Sequence, residues 1–150
     1  MPFFHLSVGQ AVEPETRAFL ARSSTIMIAE LLGKRAELTA VRIDGVPASH
    51  WFIAGEPAAD IGTPLHATLI ITTGTNTEAE KAAFIAQLDR LLRDTFGAVP
   101  EASYIVIQEV VAGDWGYGGL TQAGRRLALS AAPPGAISVG EDAGHRLEAA

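Results

Sequence analysis

The residue with the most distinctive chemistry is Pro2. A small residue after Met1 invites removal of the methionine, and the freed proline nitrogen would be a secondary amine. An α-amino group titrates at about 7.7–8.0 in a model peptide. An apolar pocket or a neighbouring cation lowers that value. A buried N-terminal proline is then largely neutral at pH 7 and can accept a proton. Proline after methionine also occurs without any role, so Pro2 acquires meaning only from what surrounds it.

Other polar side chains read two ways. Lys34 can neutralise a substrate carboxylate, or it is a solvated lysine just past a helix C-terminus. Arg42, on the polar face of a strand, can clamp a carboxylate bidentately or pair with an acid such as Asp44 at a subunit interface. Tyr104 can donate a hydrogen bond to an enolate oxygen, or it is a strand aromatic at an interface. Trp51 and Trp115 are structural by default. His5 and His50 can do acid–base work. The four histidines, His5, His50, His66 and His145, are scattered without HExxH or i, i+4 spacing, so no metal site is expected. The chain has no cysteine, which excludes disulfides, thiolate metal sites and thiol nucleophiles.

The elements that must position these groups form a repeat. Shifted by 64 residues, the sequence meets itself without a gap: Gly33 falls on Gly97, Trp51 on Trp115 and Gly55 on Gly119, with Glu37/Glu101 and Val46/Val110 between them. Each half reads strand, helix, strand. In the first, Phe3 to Val8 is a strand. Pro14 suits a helix N1 position, and Leu20, Met27 and Leu31, widened by Ile28 and Leu32, form its apolar stripe. Gly33 ends the helix, and Leu38 to Val46 is a second strand. In the second half, Leu65 to Thr72 is a strand rich in β-branched residues. Thr77-Glu78-Ala79-Glu80 is a capping box. Phe84, Leu88, Leu91, Leu92 and Phe96 form the stripe, and Tyr104 to Val110 is the last strand. Trp115-Gly116-Tyr117-Gly118-Gly119 reads as a hairpin or turn, because it does not join a strand to a helix start as a nucleotide loop does.

Two β-α-β units with right-handed crossovers predict an α+β fold: a four-stranded mixed sheet with two helices on one face. The units span 1–64 and 65–121 and together make one domain. Residues 122–150, with Pro133-Pro134-Gly135, read as an irregular C-terminal tail that can wrap a neighbour. The uncovered sheet face carries enough apolar residues to call for another subunit.

A chain that begins Met-Pro, repeats β-α-β and ends each unit in Trp-x-x-x-Gly resembles the tautomerase superfamily, the group of 4-oxalocrotonate tautomerase and macrophage migration inhibitory factor. The likeness covers roughly residues 2 to 121, strongest at Pro2, Val46 to Gly55 and Asp114 to Gly119. It implies a trimer, and it implies roles. Pro2 matches the catalytic proline, and Lys34 the active-site lysine of the migration-inhibitory-factor group. Tyr104 matches that group's active-site tyrosine, while Val106 stands where the group has asparagine. Trp51 resembles the aromatic wall of the 4-oxalocrotonate tautomerase pocket. Three features of the relatives are missing. Gln10-Ala11-Val12 replaces the first-loop arginine, Thr72 to Thr75 lacks the paired arginines of cis-3-chloroacrylate dehalogenase, and there is no Cys-x-x-Cys. Because His66 is the repeat partner of Pro2 and lies inside the chain, only one unit can offer a free amine.

The function this implies is a cofactor-free tautomerase of a small 2-oxo or enol carboxylic acid, with Pro2 as base and Tyr104 stabilising the dienolate. Lys34, Arg42 and Trp51 bind the substrate. The alternatives are a proline-dependent hydratase, dehalogenase or decarboxylase, or a non-catalytic trimeric binding protein. Net charge is −6 with no basic run, so nucleic acid is not an expected partner. With 48% hydrophobic and 19% charged residues the 150-residue chain is suited to a packed core. The absence of cysteine, of a basic signal region and of a bilayer-length apolar stretch fits a cytoplasmic protein without a membrane partner.

Overall fold

A computed structural model describes residues 1–131. In chain order the elements are β1 (Phe3–Val8), α1 (Pro14–Leu32), β2 (Ala40–Gly45), β3 (Phe52–Ile53), β4 (Glu56–Pro57), β5 (Leu65–Thr72), α2 (Glu78–Phe96), β6 (Tyr104–Val110), β7 (Gly116–Tyr117), β8 (Leu120–Thr121) and α3 (Gln122–Ala131). Four strands form one sheet in the order β2-β1-β5-β6, while β3-β4 and β7-β8 are small hairpins. β1 runs parallel to β2, and β5 parallel to β6. The two units meet where β1 lies antiparallel to β5, with Phe3 opposite Ile70 and Val8 opposite Leu65. This is the α+β, four-stranded mixed sheet that the repeat predicts.

The helices start and stop for local reasons. Pro14 opens α1 and Gly33 closes it at φ 63°, a left-handed position that glycine adopts without a Cβ clash. At α2 the capping box forms in full: Glu80 N–H donates to the Thr77 hydroxyl at 3.2 Å and Thr77 N–H donates to the Glu80 carboxylate at 2.8 Å. Those bonds hold the Glu80 carboxyl below its usual range, the backbone donor at Thr77 being the largest cause.

One face of the sheet and both long helices enclose the core. Phe4, Leu6 and Val8 of β1 and Leu65, Ala67, Leu69 and Ile71 of β5 point into it. Phe4 meets Phe84 of α2 edge to face, centroids 6.5 Å apart and planes at 87°. Each fully buried phenylalanine is worth roughly 1.5–3 kcal/mol of transfer energy. The stripe of α1 differs from the expected one. Leu20, Ser24, Ile28 and Leu32 are buried at i+4 spacing, while Met27 and Leu31 pack on its flank. Since each full turn is 3.6 residues, four-residue steps drift around the helix, and the neighbouring α2 selects which side is sealed. In α2 the buried residues are Phe84, Leu88 and Leu92, with Leu91 and Phe96 only partly covered.

Two expectations need correction. The second strand is shorter than Leu38 to Val46, because a 3-10 turn at Ala36–Leu38 precedes it. The segment after 121 is not irregular throughout: Gln122–Ala131 is a helix, and only the stretch with Pro133-Pro134-Gly135 lies outside the described residues. Among the described residues no helix is long and apolar enough to cross a membrane.

The capping box gives a direct test of α2. Thr77→Ala removes one bond of a reciprocal pair and should lower stability by about 1 kcal/mol, read as a fall in the urea midpoint with an unchanged slope. A change within error would show that the cap contributes nothing.

Candidate active site

Strand register decides which candidates meet. Continuing the β1–β5 pairing by one step sets Pro2 opposite Ile71, at the sheet end where β2 begins and β5 and β6 finish. Pro2 is fully buried there, and its carbonyl accepts from Ala40 N–H at 3.3 Å. This end is cationic. The terminal amine of Met1 is held below its ordinary value, first by desolvation and then by the Lys34 and Arg35 charges.

Lys34 is placed by the turn that ends α1. Its backbone N–H reaches back to the Ile28 carbonyl across Gly33, which aims the side chain towards the β5–α2 loop. There its ammonium donates to the Thr75 hydroxyl at 2.8 Å, and that hydroxyl donates to the Thr72 carbonyl. Asn76 donates to the Leu32 carbonyl at 3.0 Å and so ties the same loop to the end of α1. The Lys34 ammonium is pushed below the usual lysine range, chiefly by burial. The Arg126 charge on α3 adds to this, while Glu80 and Glu109 act in the opposite sense. Glu109 is itself held by Lys81 at 3.2 Å and by Gly74 N–H at 3.2 Å. Pro2 and Lys34 therefore share one end of the sheet, with Arg35 and Arg126 nearby.

The other candidates lie elsewhere in the protomer. Arg42 is on the open sheet face, where its Nε bonds Asp44 at 2.9 Å. His5 bonds the same carboxylate oxygen at 2.8 Å. These two partners, His5 first, hold the Asp44 carboxyl low. Arg42 thus has an acidic partner within its own chain. Tyr104 pairs with His66, five residues along β5 from the position opposite Pro2. At about 3.3 Å per residue that is roughly 16 Å along the strands, and β5 intervenes. Tyr104 is 63% exposed. Trp51 lines a cavity with Tyr104 and His66 at that same far end. Within one chain, then, neither Tyr104 nor Trp51 reaches Pro2.

The aromatic residue at the Pro2 end is Trp115, whose indole N–H donates to the Thr72 hydroxyl at 3.2 Å. Sequence reasoning assigned the wall to its repeat partner, Trp51. The signal that places Trp115 here is the antiparallel joining of the units, which brings the end of β5, where its indole bonds Thr72, beside the start of β1. Arg35 and Arg126 were also not foreseen. Arg35 adjoins Lys34 in sequence, but nothing local marks Arg126, which depends on the return of α3. Among the described residues no group of three or more His, Cys, Asp or Glu could hold a metal.

Comparison with known proteins gives a consistent picture. Residues 68–123 match the Tautomerase family, described as tautomerase enzyme. A native fused 4-OT is 25% identical, with a TM-score of 0.71 over 84% of this chain and 98% of its own. A fused 4-OT wild-type asymmetric trimer is 24% identical, with a TM-score of 0.71 over 83% and 98%. A member of the cis-3-chloroacrylic acid dehalogenase family is 20% identical, with a TM-score of 0.68 over 87% and 92%. No curated protein matches significantly.

The charge arrangement predicts a response to mutation. Lys34→Ala removes a like charge beside the terminal amine, so the amine should titrate at higher pH, nearer its ordinary value. The pH dependence of its acylation by an amine-selective reagent measures this. An unmoved midpoint would show that Lys34 does not act on the amine.

Proposed function

We propose, from its likeness to the Tautomerase family over residues 68–123 and to fused 4-OT structures, that this chain is a cofactor-free tautomerase of a small 2-oxo or enol carboxylic acid, with the Pro2 amine as general base. Burial of Pro2 at a cationic sheet end carries this reading. Removal of Met1 would move the amine one residue inward, about 3.8 Å, into the space where the Pro2 ring is already sealed. The Met1 amine is held low there by desolvation and by the Lys34 and Arg35 charges, and the same causes would disfavour a protonated Pro2 amine in that space. The neutral nitrogen takes a proton from an enol hydroxyl or from the carbon beside a carbonyl and returns it to a different carbon. Lys34 faces the substrate carboxylate, and Trp115 forms the apolar wall.

The same electrostatics weigh against the hydratase or dehalogenase alternatives, in which a protonated proline acts as an acid. Arg42 is not assigned to this site: it lies on the open sheet face opposite His5 and pairs with Asp44. Tyr104 can serve a Pro2 site only from a neighbouring protomer. The open sheet face supports such assembly, since Phe3, Tyr104 and Val106 are 37%, 63% and 40% exposed and a fused 4-OT relative is described as a trimer. We assign this chain a homotrimer, in which closed symmetry covers that face.

Two outcomes test the reading. Protein that begins at Pro2 should convert phenylenolpyruvate or 2-hydroxymuconate, with kcat/KM rising through the pKa of the amine. Pro2→Ala should lower kcat/KM by about 10² or more. Full activity in protein whose intact mass retains Met1 would refute it, because the Pro2 nitrogen would then be an amide. Absence of turnover in either form would favour a binding protein. Sedimentation at micromolar concentration should give a trimer, and a monodisperse monomer would contradict the assembly.

A further inference from the structure

The first turn of α3 is fastened to the β7-β8 hairpin. Gln122 N–H donates to the Trp115 carbonyl at 3.0 Å, and Ala123 N–H to the Ala112 carbonyl at 2.8 Å. Gly124 N–H donates to the Thr121 hydroxyl at 3.0 Å. Amides that a helix N-terminus leaves without partners are thus taken by the hairpin and its base. Arg125 secures the helix further: its guanidinium stacks on the Tyr117 ring and donates to the Tyr117 carbonyl.

The hairpin is in turn tied to the Pro2 end. The Trp115 indole N–H donates to the Thr72 hydroxyl, the Thr72 carbonyl accepts from Thr75, and the Thr75 hydroxyl accepts from the Lys34 ammonium. An unbroken chain of contacts therefore runs from Lys34, through the end of β5 and Trp115, to the start of α3. Adjacent residues on a helix point about 100° apart. With Arg125 turned back onto Tyr117, Arg126 takes a different side, and its charge reaches Lys34. The charges that lower the Met1 amine are those of Lys34 and Arg35, so Arg126 lies farther from the amine than Lys34 does.

Neither Lys34 nor Arg126 forms an ion pair among the described residues. The two carboxylates whose charge reaches Lys34 are engaged elsewhere: Glu80 by Thr77 N–H and Asn76, and Glu109 by Lys81 and Gly74 N–H. Two cations without a shared counter-ion repel, and an anion bound between them relieves that repulsion. The guanidinium offers a planar fork that matches a carboxylate, while the ammonium is a point charge. Arg126 also lies past residue 123, where the family match stops.

Resting on the Pro2 reading, we propose that Arg126 of α3 is an anion-binding residue of that site and shares the substrate carboxylate with Lys34. Lys34 supplies the charge nearer the amine, and the Arg126 fork sets the plane of the carboxylate. The helix that follows the second hairpin thereby selects an acid over its neutral ester.

Binding is measured apart from turnover. Phenylpyruvate and its methyl ester are titrated into Pro2→Ala protein, where no proline amine acts, and followed at the Trp115 indole N–H by nitrogen-15 NMR, with Trp51→Phe identifying the signal. The acid should shift that signal saturably. Arg126 is exposed, so Arg126→Ala disturbs no packing. It should weaken acid binding roughly five- to tenfold and leave ester binding unchanged. Arg126→Lys should recover part of the loss. The losses from Arg126→Ala and Lys34→Ala should not multiply in the double variant, because both cations hold one carboxylate. In protein that begins at Pro2, Arg126→Ala should raise KM for phenylenolpyruvate by the same factor. Its kcat and pH–rate midpoint should stay in place, whereas Lys34→Ala should move that midpoint. Acid binding left intact by Arg126→Ala, an equal loss for acid and ester, or no saturable acid binding before Arg126 is changed would each overturn the proposal. Arg126-dependent acid binding in a protein without turnover would sustain it while the tautomerase reading fell.

Discussion

The antiparallel pairing of β1 with β5 is the constraint on which everything else rests. It places Phe3 opposite Ile70 and Val8 opposite Leu65, and a slip of one residue would turn Phe4, Leu6, Leu69 and Ile71 out of the core. It also inverts one unit relative to the other. Each unit therefore finishes beside the start of its partner. The Pro2 end is thus built from both halves: Pro2 and Lys34 come from the first, and Thr72, Thr75 and Trp115 from the second.

Electrostatics then separates two ends that the repeat would make alike. Gly33 turns the chain so that Lys34 and Arg35 lie near the N-terminus, and α3 returns Arg126 to the same region. The equivalent position to Lys34 in the second unit is Ala98, and the equivalent of Pro2 is His66. Acidic pH should erode the framework around the first end. Glu80 and Glu109 are held below their ordinary values in the fold, so the stability they contribute is present above the unfolded carboxylate range. It is lost as pH falls through the lower folded values.

Strands and helices were legible because period-2 and i+4 patterns are local. Phe3–Val8, Leu65–Thr72 and Tyr104–Val110 have the bounds the sequence suggests, and Thr77 and Glu80 form the expected capping box. Lys34 was legible as a helix-end cation. The partner of Arg42 was legible too, since Asp44 lies two residues on along the same strand face. That Tyr104 and Trp51 lie at the opposite end of the protomer from Pro2 was not legible for a non-local reason: the direction in which two repeats join is not written in either repeat. The helical start of the segment after 121 was missed because it is short, holds Gly124 and buries none of its residues, and its first turn is secured by tertiary contacts. Arg125 stacks 3.6 Å from the Tyr117 ring centroid and donates to the Tyr117 carbonyl.

The central claim is that the Pro2 nitrogen, once freed, is a neutral base at physiological pH. Its most direct test is an NMR titration of protein labelled with nitrogen-15 proline and verified by mass to begin at Pro2. The account predicts a titration midpoint for the Pro2 nitrogen clearly below the ordinary α-amino range of about 7.7–8.0. A midpoint within or above that range would contradict it, because the amine would then be protonated and unable to act as the base.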